Sequence, residues 1–500
     1  MSLLMEEYYL KYLRMGVIFI LGGYVFVFWF LKRANELYYC YIQRLGFKQP
    51  RPLPPGDMGW PIIGNMFSFL KAFRDSDEPH SFINNLAQRY GKTGIYKTHL
   101  FGSPSAIVCL PETCKAVLTD DENYKLGYSS LFALIGKKLF DTLHSTEHKR
   151  LRRLTASPIN GHDALSVYIG FIEDVMMDSL DEWSSMRNPI ELRNVLKEAT
   201  LKVITNISFG PQLGSSIYES LKNPFNDLVQ GVFKLGINLP GFAFHKAVQA
   251  RRKLGEILDA AIEDVRVRNK SNESKEEKKS MLDLLLEAEN EDSEKLDNET
   301  IVDILIGVLF AGHDTTAGAI MWVMLFLHDH PQILQKVKEE QEAIIRNRPA
   351  TQKGLTMEEI KQMSYTMKVI QEALRRANIV TSLFRETKVD VNINGYTVPK
   401  GWKVLVMIRS VHLDPEIHPN PKEFDPSRWD NKQMRRGAFL PFGLGSRYCA
   451  GSDLAKNAVC IFVHSFLLHY KLERIHPGCP MVYFPDPRPK DNCLAKITKL

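Results

Sequence analysis

Near the C-terminus, Phe439-Leu440-Pro441-Phe442-Gly443-Leu444-Gly445-Ser446-Arg447-Tyr448-Cys449-Ala450-Gly451 sets one cysteine among small residues. Bulky neighbours would block a flat macrocycle, so Cys449, two residues past Arg447, reads as a thiolate held open to a metal-bearing cofactor. Taken alone, a free cysteine is more often a small buried hydrophobe. A second chemical group is Ala311-Gly312-His313-Asp314-Thr315-Thr316. Small Ala311 and Gly312 leave a groove. Thr315 can return its hydroxyl to the Ala311 carbonyl or hold a water, and Asp314 can pair with a basic neighbour or connect the groove to solvent protons. Third, Glu372 and Arg375 stand three apart, share a helix face and can pair.

The first stretch matches F-x-x-G-x-R-x-C-x-G at every fixed position and is followed by a helical pattern, Ser452 to Leu468. In this it resembles the heme-binding signature of the cytochrome P-450 family. The second stretch resembles the family's oxygen-activation motif A-G-x-D/E-T, and Gln371-Glu372-Ala373-Leu374-Arg375 resembles its E-x-x-R motif. Phe424-Asp425-Pro426-Ser427-Arg428-Trp429 resembles the segment that supplies a second arginine. The resemblance covers essentially the whole chain. It implies heme b with Cys449 as axial iron ligand, in a loop shaped by Phe442, Gly445 and Gly451.

Heme propionates need donors, for which forked guanidinium groups are suited. Arg447, Arg385 and the pair His148 and Arg152 are the candidates. His148 stands where the family often has tryptophan and keeps a ring N–H donor, while Lys149, Arg150 and Arg153 read as a solvated basic face that could steer an acidic redox partner. Dioxygen and NADPH electrons passed through a reductase are implied, with Asp314 and Thr315 as the catalytic proton relay. Glu372, Arg375 and Arg428 are implied to be a structural network, whose loss of one member would strand the others. Resemblance also places recognition regions at Tyr128 to Leu143, Gly231 to Phe244, Ile306 to Ala311, Val380 to Phe384 and around Met481 to Phe484. Ala311, Val380, Ser382 and Phe384 are the candidate pocket residues.

Within the family, Pro54-Pro55-Gly56-Asp57-Met58-Gly59-Trp60-Pro61, Ala156-Ser157-Pro158-Ile159-Asn160-Gly161-His162 and Asp491-Asn492-Cys493-Leu494-Ala495-Lys496 resemble plant ent-kaurenoic acid oxidases and their triterpenoid-oxidising relatives. Asp314-Thr315-Thr316 departs from the Glu-Ser-Ser of the kaurenoic acid oxidases, and Ala377-Asn378-Ile379-Val380-Thr381-Ser382 is nearer the triterpenoid group. A triterpenoid substrate is therefore expected, with ent-kaurenoic acid oxidation to the gibberellin precursor as the alternative. Heme-thiolate isomerases and dehydrases tend to lack the acid and threonine pair; a non-enzymatic heme-binding membrane protein is the remaining class.

These groups must be positioned by a chain of 500 residues, 44% hydrophobic, which is long enough to bury a large core. The formal charge is +6, but residues 1–56 carry seven Lys or Arg against three Asp or Glu, leaving +2 for the remainder, so no nucleic-acid footprint is implied. Seven scattered cysteines argue against a disulfide framework and for a reducing compartment. Met15 to Leu31 is long enough for a short membrane-spanning helix and lacks the cleavage site of a signal peptide. Lys32, Arg33, Arg44, Lys48 and Arg51 outweigh Lys11 and Arg14, which puts the C-terminal bulk on the cytoplasmic side; the membrane expected is that of the endoplasmic reticulum.

A stiff, proline-rich connector follows. The expected division is an anchor over 1–33, a basic then proline-rich hinge over 34–65, and a heme-thiolate catalytic domain over 66–500. Gly94 to Thr98 and Ser105 to Cys109, joined by Phe101-Gly102-Ser103-Pro104, predict a hairpin. Asn394-Gly395 predicts a second turn, Asn298 to Leu327 a long buried helix, and Arg266 to Lys279 a charged connection. The fold class is mainly α with small β-sheets, the cytochrome P-450 fold behind one N-terminal transmembrane helix. Apolar Phe233, Leu235, Ile237, Leu239, Phe242 and Phe244, with the anchor, suggest a bilayer-facing entrance for a lipophilic substrate. Asn206-Ile207-Ser208, Asn272-Glu273-Ser274 and Asn298-Glu299-Thr300 are formal glycosylation sequons.

Overall fold

The computed structural model describes residues 2–41, 52–74, 80–127, 134–136, 152, 156, 159, 162–232, 234, 236–270, 279–288, 295–430 and 434–500. Contacts divide the chain into two units, residues 1–127 with 384–410 and residues 128–383 with 411–500.

The smaller unit begins with helix α1 (Ser2–Glu36), 35 residues that contain the whole apolar run Met15 to Leu31 and end in a π-helical turn, Leu37–Tyr41. Its side chains from 11 to 33 are exposed, which suits a candidate membrane-spanning helix. Helix α2 (Met66–Arg74) follows the proline-rich stretch. The core of the unit is a five-stranded sheet built from β1 (Ile95–Leu100), β2 (Ser103–Val108), β3 (Tyr124–Leu126), β4 (Leu383–Thr387) and β5 (Lys403–Val406), in the order β1-β2-β5-β4-β3. Strands β2 and β5 are parallel, Ser105 opposite Lys403 through Val108 opposite Val406. Ala106, Ile107, Val108, Val404, Leu405 and Val406 are fully buried, which suits a central parallel pair covered on both faces.

The hairpin is tighter than the sequence predicts. Pairing continues to Leu100 opposite Ser103, so the connection is Phe101-Gly102 alone, with φ of 52° and 73°. Positive φ at both residues gives the twist that antiparallel strands need. Asn394 and Gly395, at φ 51° and 84°, make the second predicted turn between Val391–Ile393 and Tyr396–Val398.

In the larger unit, α3 (Leu192–Phe209), α4 (Pro211–Val232) and α5 (Ala243–Lys270) pack beside the long α6 (Asn298–Asp329). Helix α6 is capped by Asp297, whose carboxylate accepts from the Thr300 amide at 2.8 Å. Helices α7 (Ser364–Ala377) and α8 (Ser452–His469) complete the frame around it. Strand β7 (Leu494–Lys499) pairs antiparallel with β6 (Tyr470–Arg474) and with Ile190–Glu191. The charged connection predicted from Arg266 starts later: α5 stays helical through Lys270, where the Arg266 guanidinium reaches Glu263 and Asn298. Residues 271–278 lie outside the described residues.

Candidate active site

Cys449 sits on the loop that enters α8. Its amide donates to the Phe442 carbonyl at 2.8 Å, and the loop closes through Gly443 N to Leu440 O and Tyr448 N to Gly445 O, each at 3.1 Å. Gly443 and Gly445 take φ of 74° and 79°, a region that costs any side chain but glycine. The start of the loop hangs on two residues that the sequence did not single out. The Leu440 amide donates to His412 Nε2 at 2.7 Å, which makes Nε2 the acceptor and leaves Nδ1 to donate to Asn378 Oδ1 at 2.7 Å. Asn378 is the left-handed cap of α7 and also donates to the Arg375 carbonyl at 2.8 Å. The cysteine loop is thereby tied to the end of the Glu372 helix.

The Cys449 thiol is exposed, yet burial among surrounding protein atoms raises its pKa, partly offset by the Gly451 amide and by Arg152. Those two properties together describe a group at the floor of a concavity. A Cβ placed on Gly451 would meet nothing within 4 Å, so the approach is open. An accessible thiol with an amide directed at it, glycines beside it and Arg152 within electrostatic reach fits the binding of a heme iron. Arg447 ends the 3-10 turn Gly445–Arg447 on the same loop. Arg385, buried on β4, belongs to the smaller unit, and His148 lies outside the described residues.

Helix α6 presents two chemically different faces. In a helix buried almost throughout, Ala311 and Thr315 are exposed, with Gly307 and Val308 half-buried one turn before them. Positions four apart fall on one face, so this is an accessible stripe down the middle of a core helix. Thr315 returns its hydroxyl to the Ala311 carbonyl at 2.7 Å. The opposite face packs on α3: the Thr200 hydroxyl donates to the His313 carbonyl at 2.9 Å, and a Cβ on Gly312 would come within 3.1 Å of Ile204.

Asp314 lies on the flank between these faces. Arg193 Nη2 reaches its carboxylate at 2.8 Å and Lys197 Nζ at 3.0 Å, while Arg193 also binds Asp486 at 2.7 Å. Burial pushes the Asp314 carboxyl up, but the Arg193 and Lys197 charges outweigh it and hold it below its ordinary value. Burial lowers Lys197 in the same cluster. His313 is lowered by burial to about 4, so it stays neutral, and its Nδ1 is buried without a hydrogen-bond partner. It lines a cavity of about 420 Å³ together with Lys197, Glu198, Tyr218, Lys222 and Asn226. Arg193 and Lys197 were not anticipated; nothing local marks residues more than a hundred positions from Asp314 as its partners.

Glu372 and Arg375 are fully buried and joined at 2.7 and 2.9 Å. Arg375 also donates to the carbonyls of His412, Pro421 and Glu423. Arg428 reaches Glu372 only at 3.5 Å and gives its shorter bond, 2.8 Å, to the Pro419 carbonyl. The indole of Trp429 donates to Glu372 at 3.0 Å, a better-placed member that the arginine-centred motif overlooked. Among pocket candidates Val380 is exposed and Ser382 and Phe384 are half-buried. Leu239 and Phe242 are exposed and Phe244 is buried, while Phe233, Leu235 and most of Tyr128 to Leu143 lie outside the described residues.

The sequence profile of the cytochrome P-450 family matches residues 54–487. The chain belongs to that family. As a cytochrome P-450 it is a heme-iron monooxygenase that uses dioxygen and electrons from a redox partner, acting on a lipophilic substrate. It is 51% identical over 480 residues to a 7,8-epoxymelianol synthase of Ailanthus altissima, covering 96% of this chain and 95% of the relative. It is 48% identical to beta-amyrin 11-oxidase of Glycyrrhiza uralensis, covering 95% and 96%. It is 49% identical to ent-kaurenoic acid oxidase 2 of Arabidopsis thaliana, covering 96% of both. Among solved structures, a cyanobacterial cytochrome P-450 with retinoic acid bound superposes with a TM-score of 0.80 at 28% identity, covering 90% of this chain and all of that one. The apolar helix α1 is a candidate membrane anchor for this cytochrome P-450.

Proposed function

We propose that this cytochrome P-450 hydroxylates or oxidises a triterpenoid skeleton in plant specialised metabolism. The observation that carries the substrate class is the identity of about half over nearly the whole length to a 7,8-epoxymelianol synthase and a beta-amyrin 11-oxidase; melianol and beta-amyrin have triterpenoid skeletons. Ent-kaurenoic acid oxidation is the second reading, favoured by the 49% identity to that oxidase.

In this reading the Cys449 sulfur would ligate the heme iron, and Arg447 and Arg152 would hold the propionates, while Arg385 and His148, four residues before Arg152, are the further donors that the family resemblance implies. When bound, the heme supplies the one-electron and dioxygen chemistry. The accessible stripe of Ala311 and Thr315 leaves room for dioxygen and substrate, and the Thr315 hydroxyl orients a water there. Asp314 holds the proton path on the flank of α6, where Arg193 and Lys197 keep its carboxylate ionised until a proton arrives from the cavity side. Ala311, Val380, Ser382 and Phe384 orient the substrate. Glu372, Arg375 and Arg428 brace the cysteine loop. The enzyme sits on the cytosolic face of the endoplasmic reticulum, held by α1, and receives its electrons from NADPH-cytochrome P-450 reductase.

Co-expression with a plant reductase and a panel of triterpenes and ent-kaurenoic acid, with products identified by mass spectrometry, tests the proposal. An oxygenated triterpenoid is expected. Turnover of ent-kaurenoic acid alone would replace the first reading by the second. No product from a preparation with intact heme would remove both. For topology only one described sequon is informative: Asn206 and Ser208 are buried inside α3 and cannot carry a glycan on either side of the membrane. Asn298, half-buried at the start of α6, should remain bare in cells.

A further inference from the structure

Arg193 is the second residue of α3, where its amide donates to the Asn492 carbonyl at 3.1 Å, and its buried side chain lies between two carboxylates. One nitrogen serves both. Nη2 donates to Asp314 Oδ1 at 2.8 Å and to Asp486 Oδ2 at 2.7 Å, while Nε is buried with no hydrogen-bond partner. A guanidinium ordinarily meets a carboxylate as a fork, two N–H groups on two oxygens. Nε and Nη2 offer Asp314 that fork, and Asp314 is nevertheless touched at one point. A buried donor left unpaired is rare and unfavourable, so the two-point contact must be prevented by something else in the cluster.

Asp486 is placed to do this. It lies just past Met481 to Phe484, in a hairpin whose limbs pair Met481 with Pro489 and Val482 with Arg488. Arg488 Nη1 donates to Asp486 Oδ1 at 3.1 Å, so the carboxylate is gripped from its other side as well. The next residue, Pro487, accepts the indole N–H of Trp322 at 2.8 Å. Trp322 follows Asp314 by eight residues of α6, about two turns, so the hairpin is fastened to the helix that carries the acid. Lys197, one turn after Arg193 on α3, approaches Asp314 at the same oxygen, Oδ1, at 3.0 Å. Among the described residues no hydrogen bond falls on Asp314 Oδ2.

We propose that Asp486 is a positioning residue: by taking one Nη2 hydrogen of Arg193 it keeps the guanidinium from closing its fork on Asp314, and so leaves Asp314 Oδ2 open to receive and release a proton. Without Asp486 the same arginine would hold both oxygens. The charged and titratable groups at the acid are Arg193 and Lys197 on α3 and His313 on α6, with Asp486 and Arg488 of the hairpin acting through Arg193. The proposal rests on the reading of Asp314 as the proton relay, and it ties that relay to the hairpin that carries Met481 to Phe484.

The test uses the full chain with its heme, each variant first checked for an intact reduced, carbon-monoxide-bound spectrum. Infrared difference spectra of each variant against its own Asp314→Asn counterpart isolate the carboxylate stretches of Asp314. In Asp486→Ala the separation between the antisymmetric and symmetric stretches should narrow, the signature of a carboxylate whose two oxygens are held alike. Asp486→Asn, which keeps an acceptor oxygen, should restore most of the wild-type separation. In an Arg193→Lys background, where no fork exists, Asp486→Ala should narrow it no further. With the substrate that the co-expression panel identifies, kcat of Asp486→Ala should fall several-fold at nearly constant KM, with a larger solvent isotope effect. An unaltered separation in Asp486→Ala, an equal narrowing in Asp486→Asn, or a narrowing that persists in the Arg193→Lys background would each overturn the proposal. Should Asp486→Ala lose the carbon monoxide spectrum, Asp486→Ser, too short to reach Arg193, takes its place with the same expectations. Full turnover by Asp314→Asn would remove the relay reading itself, whereas the infrared comparison decides the Asp486 contact independently of turnover.

Discussion

Glu372 takes two hydrogen bonds from the guanidinium of Arg375 while neither side chain has any exposed surface. A buried pair of this kind is weak evidence for stability as such, but removing one partner strands the other charge and costs about 3–5 kcal/mol. Arg375→Ala should therefore lose folded, heme-loaded protein. Arg428→Ala, which loses a 3.5 Å contact with Glu372 and one good bond to the Pro419 carbonyl, should cost less, about 1–2 kcal/mol. Denaturation midpoints and heme content of the two variants decide between this ranking and a network of equal members.

Cys449 and Asp314 should separate spectroscopically. Cys449→Ala should abolish the red-shifted Soret band of the reduced, carbon-monoxide-bound protein. Asp314→Asn should keep that band and lower turnover by ~10²-fold, the range for loss of a positioned proton-transfer group. Survival of the band in the Cys449 variant would end its candidacy as ligand.

The depressed pKa of His313 makes a pH prediction. An unfolded histidine binds its proton near 6.5, whereas in the fold burial holds His313 to about 4. Between these values the unfolded chain carries the extra proton, so stability falls as pH falls from 6.5 to 4, by up to ~3 kcal/mol from this group. The charges near the ring are Asp314, Lys197 and Arg193. Asp314, held below its ordinary value, loses its contribution only below that window. His313→Phe, beside the Phe225 ring 5.2 Å away, should flatten this part of the profile in denaturant titrations at pH 5 and 7.

Helices α4 and α5 touch through small residues. A Cβ on Gly231 would lie 2.2 Å from the Ala247 Cβ, so Gly231→Ala should cost ~1–3 kcal/mol by overpacking. Adding Ala247→Gly should restore most of it, because the second change removes the clashing methyl and the two helix propensities cancel. Simple additivity in thermal unfolding would mean that the helices separate freely.

Much of this site was legible because its chemistry is carried by local spacing. The cysteine loop, the Ala311 to Thr316 turn and the Glu372 and Arg375 pair each lie within one short stretch, and the helical patterns read from Asn298 to Leu327 and from Ser452 to Leu468 end within two residues of α6 and α8. What escaped depends on side chains brought together from afar. Asn378, His412 and Leu440 connect across gaps of 34 and 28 residues. Arg193 reaches Asp314 across 121. Proline spacing announced a stiff segment after α1 but could not show that the Trp60 and Gly64 backbones bond to each other, since that needs the sheet beneath them and Asn35 beside them.

The two faces of α6 also bear on how this chain can change over time. Thr315 opens on one side, His313 is pressed against α3 on the other, and Asp314 lies between them. Each residue added to a helix turns everything beyond it by about 100°. An insertion or deletion anywhere between the Asp297 cap and Ala311 would swing Thr315 off the accessible stripe and pull Asp314 from Arg193 and Lys197. Point substitutions along this segment are open to drift and selection; changes of its length are closed.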